Sequence, residues 1–238
     1  MSEAFLYTNL IIFVGCFTQS LSGFGLALVT MSLLPSLIGL QTSAPLVAMV
    51  GLVLEIIMVV RYREVLQVKS ISRLLIASLV AIPIGVIYFH KLDEKIALLV
   101  LGLVVILYAL YGLIGFRLPD LKHTAWPWIF GFTSGLLGGA YNVAGPPVIM
   151  YGNSRKWPPM EFKSNLAGFF LIGSSVVTFT HWLNGNITSN VLSLFLRTLP
   201  ALLLGFVLGQ FLDRWLNPEL FRKIVLVLLV ILGMKLMM

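Results

Sequence analysis

Residues Ile96–Phe116 run for a membrane's thickness without one charged side chain, and Ser43–Val60 carries only Glu55. About 20 apolar residues at 1.5 Å rise cross a hydrocarbon core of roughly 30 Å. A soluble domain can bury one such helix, but apolar stretches recur near 4–35, 43–60, 74–89, 96–116, 125–151, 164–183, 189–212 and 220–238. Charged residues make up 11% of the chain, against about 25% in soluble domains, too few to cover a water-soluble globule. Lipid-facing backbone must satisfy its own hydrogen bonds, and nothing here alternates as barrel strands do, so the segments read as helices. The expected fold class is an all-α integral membrane protein with no soluble domain.

The first residues, MSEAFLYTNLIIF, carry Glu3 and no Lys or Arg. A cleavable secretory signal wants a positive start, so this stretch is read as the first structural segment. A lone cysteine, Cys16, rules out an intrachain disulfide and a CxxC metal or redox site, and it reads as a packing residue. The formal charge of +7 is read as cytoplasmic loop bias, not as a nucleic-acid footprint.

The chain repeats itself. Phe17–Gly25 lies over Phe132–Ala140 with Phe, Thr, Leu and Gly coinciding, and Arg73, Gly85 and Leu92 lie over Arg197, Gly209 and Leu216. Two halves are therefore expected, 1–118 and 119–238, in one membrane domain. Eight plain crossings would put seven Lys and Arg on one side and eight on the other, which is no bias. If segment 5 enters and leaves on one side, the loops holding Arg61–Arg73, Arg117–Lys122, Arg155–Lys163 and Arg214–Lys223 collect twelve, leaving Lys91, Lys95 and Lys235 opposite. Matching loops of the two halves then lie on opposite sides, as inverted repeats require. By equivalence segment 1 is re-entrant too, giving about six full spans plus two broken hairpins, or eight segments by simple hydropathy.

Segment 5 contains Gly138-Gly139-Ala140-Tyr141-Asn142-Val143-Ala144-Gly145-Pro146-Pro147. Glycines weaken a helix and paired prolines remove donors, so a continuous helix is not expected. Broken helices survive at membrane depth where they line a cavity, and a helix N-terminus there attracts anions. Ser22-Gly23-Phe24-Gly25 offers a second, opposed break. Half-helix ends meeting near the midplane would form a substrate site, and the second break is expected to dominate it. The alternative is that the glycines serve close helix packing.

These features resemble the TauE/SafE sulfite exporter family: the Gly138-Gly139 to Gly145-Pro146-Pro147 stretch, its weaker copy around Gly23–Gly25, the four-plus-four pattern and the length. The first motif departs from the pattern, with Thr30 and Met31 where a proline is common. The resemblance implies multi-pass transport across the bacterial inner membrane of small sulfur-containing anions such as sulfite or organosulfonates, by secondary transport.

Substrate-binding residues expected from the breaks are Ser22, Gly23, Gly25, Gln19, Gly138, Gly139, Asn142, Gly145 and Pro146, with Asn165 as a weaker member. Arg197 is a sharp case, since its guanidinium could fork onto a sulfonate, or could snorkel to the surface. Glu55, deep in segment 2, could pair with an arginine or carry a coupling proton. His181 titrates in the useful range but lies beside a polar loop. Trp126, Trp128, Trp157 and Trp182 read as interface anchors. The partners expected are a small anion, the lipid bilayer and a coupling proton or ion; a homodimer is left open, and no cofactor or metal is expected. A channel-like anion permease is the rival within transport. An intramembrane enzyme finds no HExxH, GxSxG or paired aspartates to support it.

Overall fold

A computed structural model describes residues 3–89, 93–115, 118–213 and 215–237. Lys91, Leu92, Arg117, Arg214 and the segment ends at 116 and 238 lie outside the described residues. Eleven helices carry the described chain: α1 (Glu3–Ser22), α2 (Leu26–Leu33), α3 (Pro35–Ile38), α4 (Leu40–Tyr62), α5 (Val68–Phe89), α6 (Glu94–Ile114), α7 (Trp126–Tyr141), α8 (Gly145–Ser154), α9 (Pro159–Leu183), α10 (Ser189–Leu212) and α11 (Pro218–Leu236). A short 3-10 turn, Arg63–Val65, links α4 to α5, and the described residues contain no strand.

Both expected breaks are present. Segment 1 parts at Gly23 and Gly25, whose φ of 82° and 117° lie in the left-handed region, where glycine is the residue without a steric penalty. Segment 5 parts after Tyr141, with Asn142 in the same region at φ 58°. At each break the chain folds back on itself. A Cβ on Gly15 of α1 would meet Thr30 and Leu26 of α2. In the second hairpin the Phe130 and Tyr151 rings of α7 and α8 lie 6.0 Å apart. Its mouth is closed by Arg155, which binds Asp120 at 2.7 Å.

Two parallel helix pairs hold these hairpins in place, and in each the backbones touch through glycine. Gly131, Gly135 and Gly139 of α7 sit on Leu74, Ser78 and Ile82 of α5, where an added Cβ would come within 2.2–2.5 Å of a carbonyl oxygen. Gly205 and Gly209 of α10 sit on Phe13, Phe17 and Ser20 of α1. Apolar packing gains nothing over lipid, so close backbone approach through small residues drives such association. α4 packs on α9 and α6 on α11. The first helix of each half thus packs on the third long helix of the other.

One end of the bundle gathers the basic side chains. Ser164 Oγ donates to the Tyr62 carbonyl, and Asn165 Oδ1 accepts the Gln67 N–H at 2.9 Å, which joins the end of α4 to the start of α9. Lys163 binds Asp213 beyond α10 at 2.9 Å. Gln210 Nε2 donates to the Tyr62 hydroxyl and its Oε1 accepts from Arg61. The opposite end is marked by the Leu40 N–H bonded to Glu94.

Six described helices are long and apolar enough to cross a membrane: α1, α4 with its 3-10 turn, α5, α6, α9 and α10. The number equals that expected, but the membership differs. α1 has 20 residues although it is one limb of a hairpin, and α11 drops out because Glu219, Arg222, Lys223 and Lys235 crowd its 19 residues. Leu99, Leu103, Leu107 and Leu110 of α6, and Leu203, Leu204, Val207, Leu208 and Phe211 of α10, are exposed. Continuous outward leucine on these faces suits lipid, and the chain is a multi-pass membrane protein.

Candidate functional site

A small cavity of about 60 Å³ lies between the hairpins, lined from both breaks and from α4, α5 and α9. One water needs roughly 10–15 Å³ of such space, so the cavity matches a small anion in scale. Of the residues singled out in the sequence, Gln19, Gly25, Glu55, Gly138, Asn142 and Gly145 line it.

The first break supplies backbone donors. N–H groups at the head of a helix have no carbonyl of their own helix to bond. Gln19 Oε1 takes that of Leu26 at 2.9 Å, and Ala27 and Leu28 line the cavity. Gln19 Nε2 donates to Glu55 Oε1. The other oxygen of Glu55 is buried with no hydrogen-bond partner among the described residues. Among the described residues no Lys, Arg or His lines the cavity, and Glu55 is the one carboxyl in its wall.

The second break contributes differently. Pro146 and Pro147 occupy the first turn of α8, and proline has no N–H to offer an anion. The expectation that this break dominates through its helix N-terminus therefore shifts. It brings Asn142, Gly138, Ser134 and Gly145 to the wall instead. Asn142 Nδ2 donates to the Ala44 carbonyl at 2.7 Å, which pins the break to α4. Ser134 Oγ bonds the Ala144 carbonyl across the hairpin.

The two tips are staggered. Break 1 sits level with Glu55 and break 2 level with Ala44, about 16 Å apart along α4 at 1.5 Å per residue. The long first limbs, 20 and 16 residues, carry the tips past one another. The cavity runs between them.

Other expected residues lie elsewhere. Gly139 packs on Ile82, and Pro146 is buried in α8 outside the lining. Gly23 lies against Lys163, and Ser22 Oγ bonds the Thr18 and Phe24 carbonyls. Asn165 clamps the α4–α5 turn. His181 is buried near the end of α9 with Asn186 beside its Nδ1 at 3.0 Å. Arg197 is exposed on α10, and of its two readings the surface one fits this position. Trp126, Trp128 and Trp182 are exposed, whereas Trp157 packs against Tyr151 and Phe162.

Sequence reasoning missed Phe24, Phe170, Ser78 and Ser174, which also line the cavity. Serines within apolar helices were the available signal; Ser78 Oγ bonds its own Leu75 carbonyl at 3.0 Å. Nothing in the local sequence marks which serine faces inward.

An all-helical membrane bundle whose two folded-back hairpins enclose a small, largely apolar cavity with a few polar groups has the architecture of a membrane transporter. Residues 9–236 match the family described as Sulfite exporter TauE/SafE, and the chain belongs to it. It is 27% identical over 236 residues to the "Probable sulfite/organosulfonate exporter TauE" of Cupriavidus necator, covering 94% of this chain and 90% of that protein. No solved structure matches the chain.

Proposed function

We propose that this protein is a secondary transporter that exports a small oxyanion, sulfite or an organosulfonate, across the bacterial inner membrane. Family membership and the name of the Cupriavidus relative support the substrate class. The observation that carries the mechanism is the cavity shared by both breaks, with no cation in its wall among the described residues.

Oxyanion binding there rests on donors: the Ala27 and Leu28 N–H groups at the positive end of α2, with the Ser174 hydroxyl nearby. An anion and a Glu55 carboxylate in one such cavity repel, and repulsion is strong where water is excluded. Anion binding and proton binding at Glu55 therefore favour one another, and the protein moves the two together. Symport of this kind runs outward when the anion accumulates inside. The halves 1–118 and 119–238 act as inverted repeats that rock against each other about the cavity. Reciprocal packing of α1 on α10 and of α7 on α5 supports this, because a two-fold axis exchanging the halves exchanges those pairs.

The test is counterflow in proteoliposomes with sulfite, isethionate, taurine and acetate. Sulfur-containing oxyanions should accumulate transiently against their gradient and bring protons with them. Uncoupled flux that never exceeds equilibrium would instead make the protein a channel-like permease.

A further inference from the structure

A second, larger cavity of about 560 Å³ opens at the basic end of the bundle, between the end of α6, the end of α8 and the start of α11. Among the described residues Lys156, Arg222 and Lys223 line it with a single acid, Glu219. Lys156 comes from one hairpin and the two others from α11, so sequence-distant cations converge on one space. Ion pairs elsewhere at this end bind Lys122, Arg155 and Lys163 to Asp120 and Asp213. Among the described residues no carboxylate oxygen lies within the 4.0 Å ion-pair distance of Lys156, Arg222 or Lys223. Among the described residues Arg222 Nε is buried without an acceptor.

Three like charges around one cavity, one of them with a dry unmet donor, are unfavourable unless an anion joins them. Guanidinium and ammonium groups together suit the spread charge of a sulfonate or phosphate. Basic pockets between membrane helices also receive lipid phosphates. We infer that this cavity is a second oxyanion site, distinct from the central one, binding a sulfonate or phosphate group through Arg222, Lys156 and Lys223.

One path favours the free anion as the source. Tyr111 of α6 lines this cavity beside Arg222, and Tyr108, one helical turn earlier, stacks edge-on against Phe24 with centroids 6.2 Å apart. Phe24 lines the central cavity. An oxyanion held in this cavity is thus one turn of α6 and the Tyr108–Phe24 ring pair away from the transport site.

The experiment uses the full chain in phosphatidylcholine nanodiscs at low salt. Methanesulfonate is titrated by calorimetry in one arm; in the other, phosphatidylglycerol is included and its retention is read by native mass spectrometry. Arg222→Gln and Lys156→Gln should each weaken one of these probes by about tenfold, the scale of a lost charge-assisted bond. Arg222→Lys should recover most of it. Loss of methanesulfonate binding identifies a free-anion site, and loss of retained phosphatidylglycerol identifies a lipid phosphate site. Lys156 is exposed at the end of α8, so its variant reports even if Arg222→Gln fails to fold. Both probes unchanged in folded variants would overturn the inference. The naming of a free anion here rests on the transport reading, and Asn142→Ala separates the two: transport is impaired while binding at the basic cavity persists.

Discussion

Gly139→Ala examines the contact that seats the second hairpin. A Cβ built at Gly139 stands 2.2 Å from the Ile82 carbonyl oxygen and 3.0 Å from Ile82 C and Val86 N, all backbone atoms of α5. Ordinary contact begins near 3.4 Å, so the helices must part by about 1.2 Å. No flexible side-chain end can yield instead. Overpacking of this kind costs about 1–3 kcal/mol, and the upper part applies because rigid backbone is pushed. Alanine recovers about 1 kcal/mol of helix propensity, leaving a net loss of about 1–2 kcal/mol. At about 2–4 °C per kcal/mol for a chain of this size, the Tm falls by about 2–8 °C. Since Ile82 also lines the central cavity, substrate-induced stabilisation should shrink alongside. The assay is tryptophan-monitored thermal unfolding in detergent, with and without sulfite. Gly173→Ala is the control, because its Cβ meets only Ile82 Cδ1 at 3.9 Å. A Gly139→Ala protein melting within 1 °C of wild type would refute the claim that glycine contact sets α5–α7 packing.

Glu55→Gln keeps a hydrogen-bonding partner for Gln19 but removes the titrating group; transport should persist while proton co-movement disappears, as read by an internal pH dye, and undiminished proton flux would place coupling elsewhere. Asn142→Ala loses the bond to Ala44 and a residue tolerant of the left-handed region, lowering Tm by about 3–6 °C and impairing transport; unaltered melting would mean that Ala44 does not anchor the break. Arg197→Ala should leave transport within about twofold, as a surface charge does, and a large loss in counterflow would return Arg197 to the site. Cysteines placed at Arg63 and Lys156 should label from one face of sealed vesicles and one at Asn190 from the other, since the starts of α9 and α10 lie at opposite ends; labelling of Arg63 and Lys156 from different faces would sink the hairpin topology.

Membership of the membrane class was written in the sequence itself. Uncharged stretches such as Ile96–Phe116 have no aqueous alternative, because hydrophobic transfer depends on composition and length, not on neighbours. Both breaks were legible for a similarly local reason. Gly23 and Gly25 supply left-handed backbone, and Gly145-Pro146-Pro147 heads a new helix, so the chain signals where regular structure must stop. What tertiary structure alone decided is the use to which each residue is put. Gly138 and Gly139 are adjacent, yet one faces the cavity and the other presses on Ile82; helical rotation of about 100° per residue sends neighbours to different partners. Arg197 and Arg222 are both arginines in the first half of a long helix, and only packing against α6 and α8 places Arg222 in a cavity. The meeting of Gln19 with Glu55, and of Asn142 with Ala44, joins residues 36 and 98 positions apart. Long-range pairings of that kind depend on how whole helices cross, which no local pattern of residues encodes.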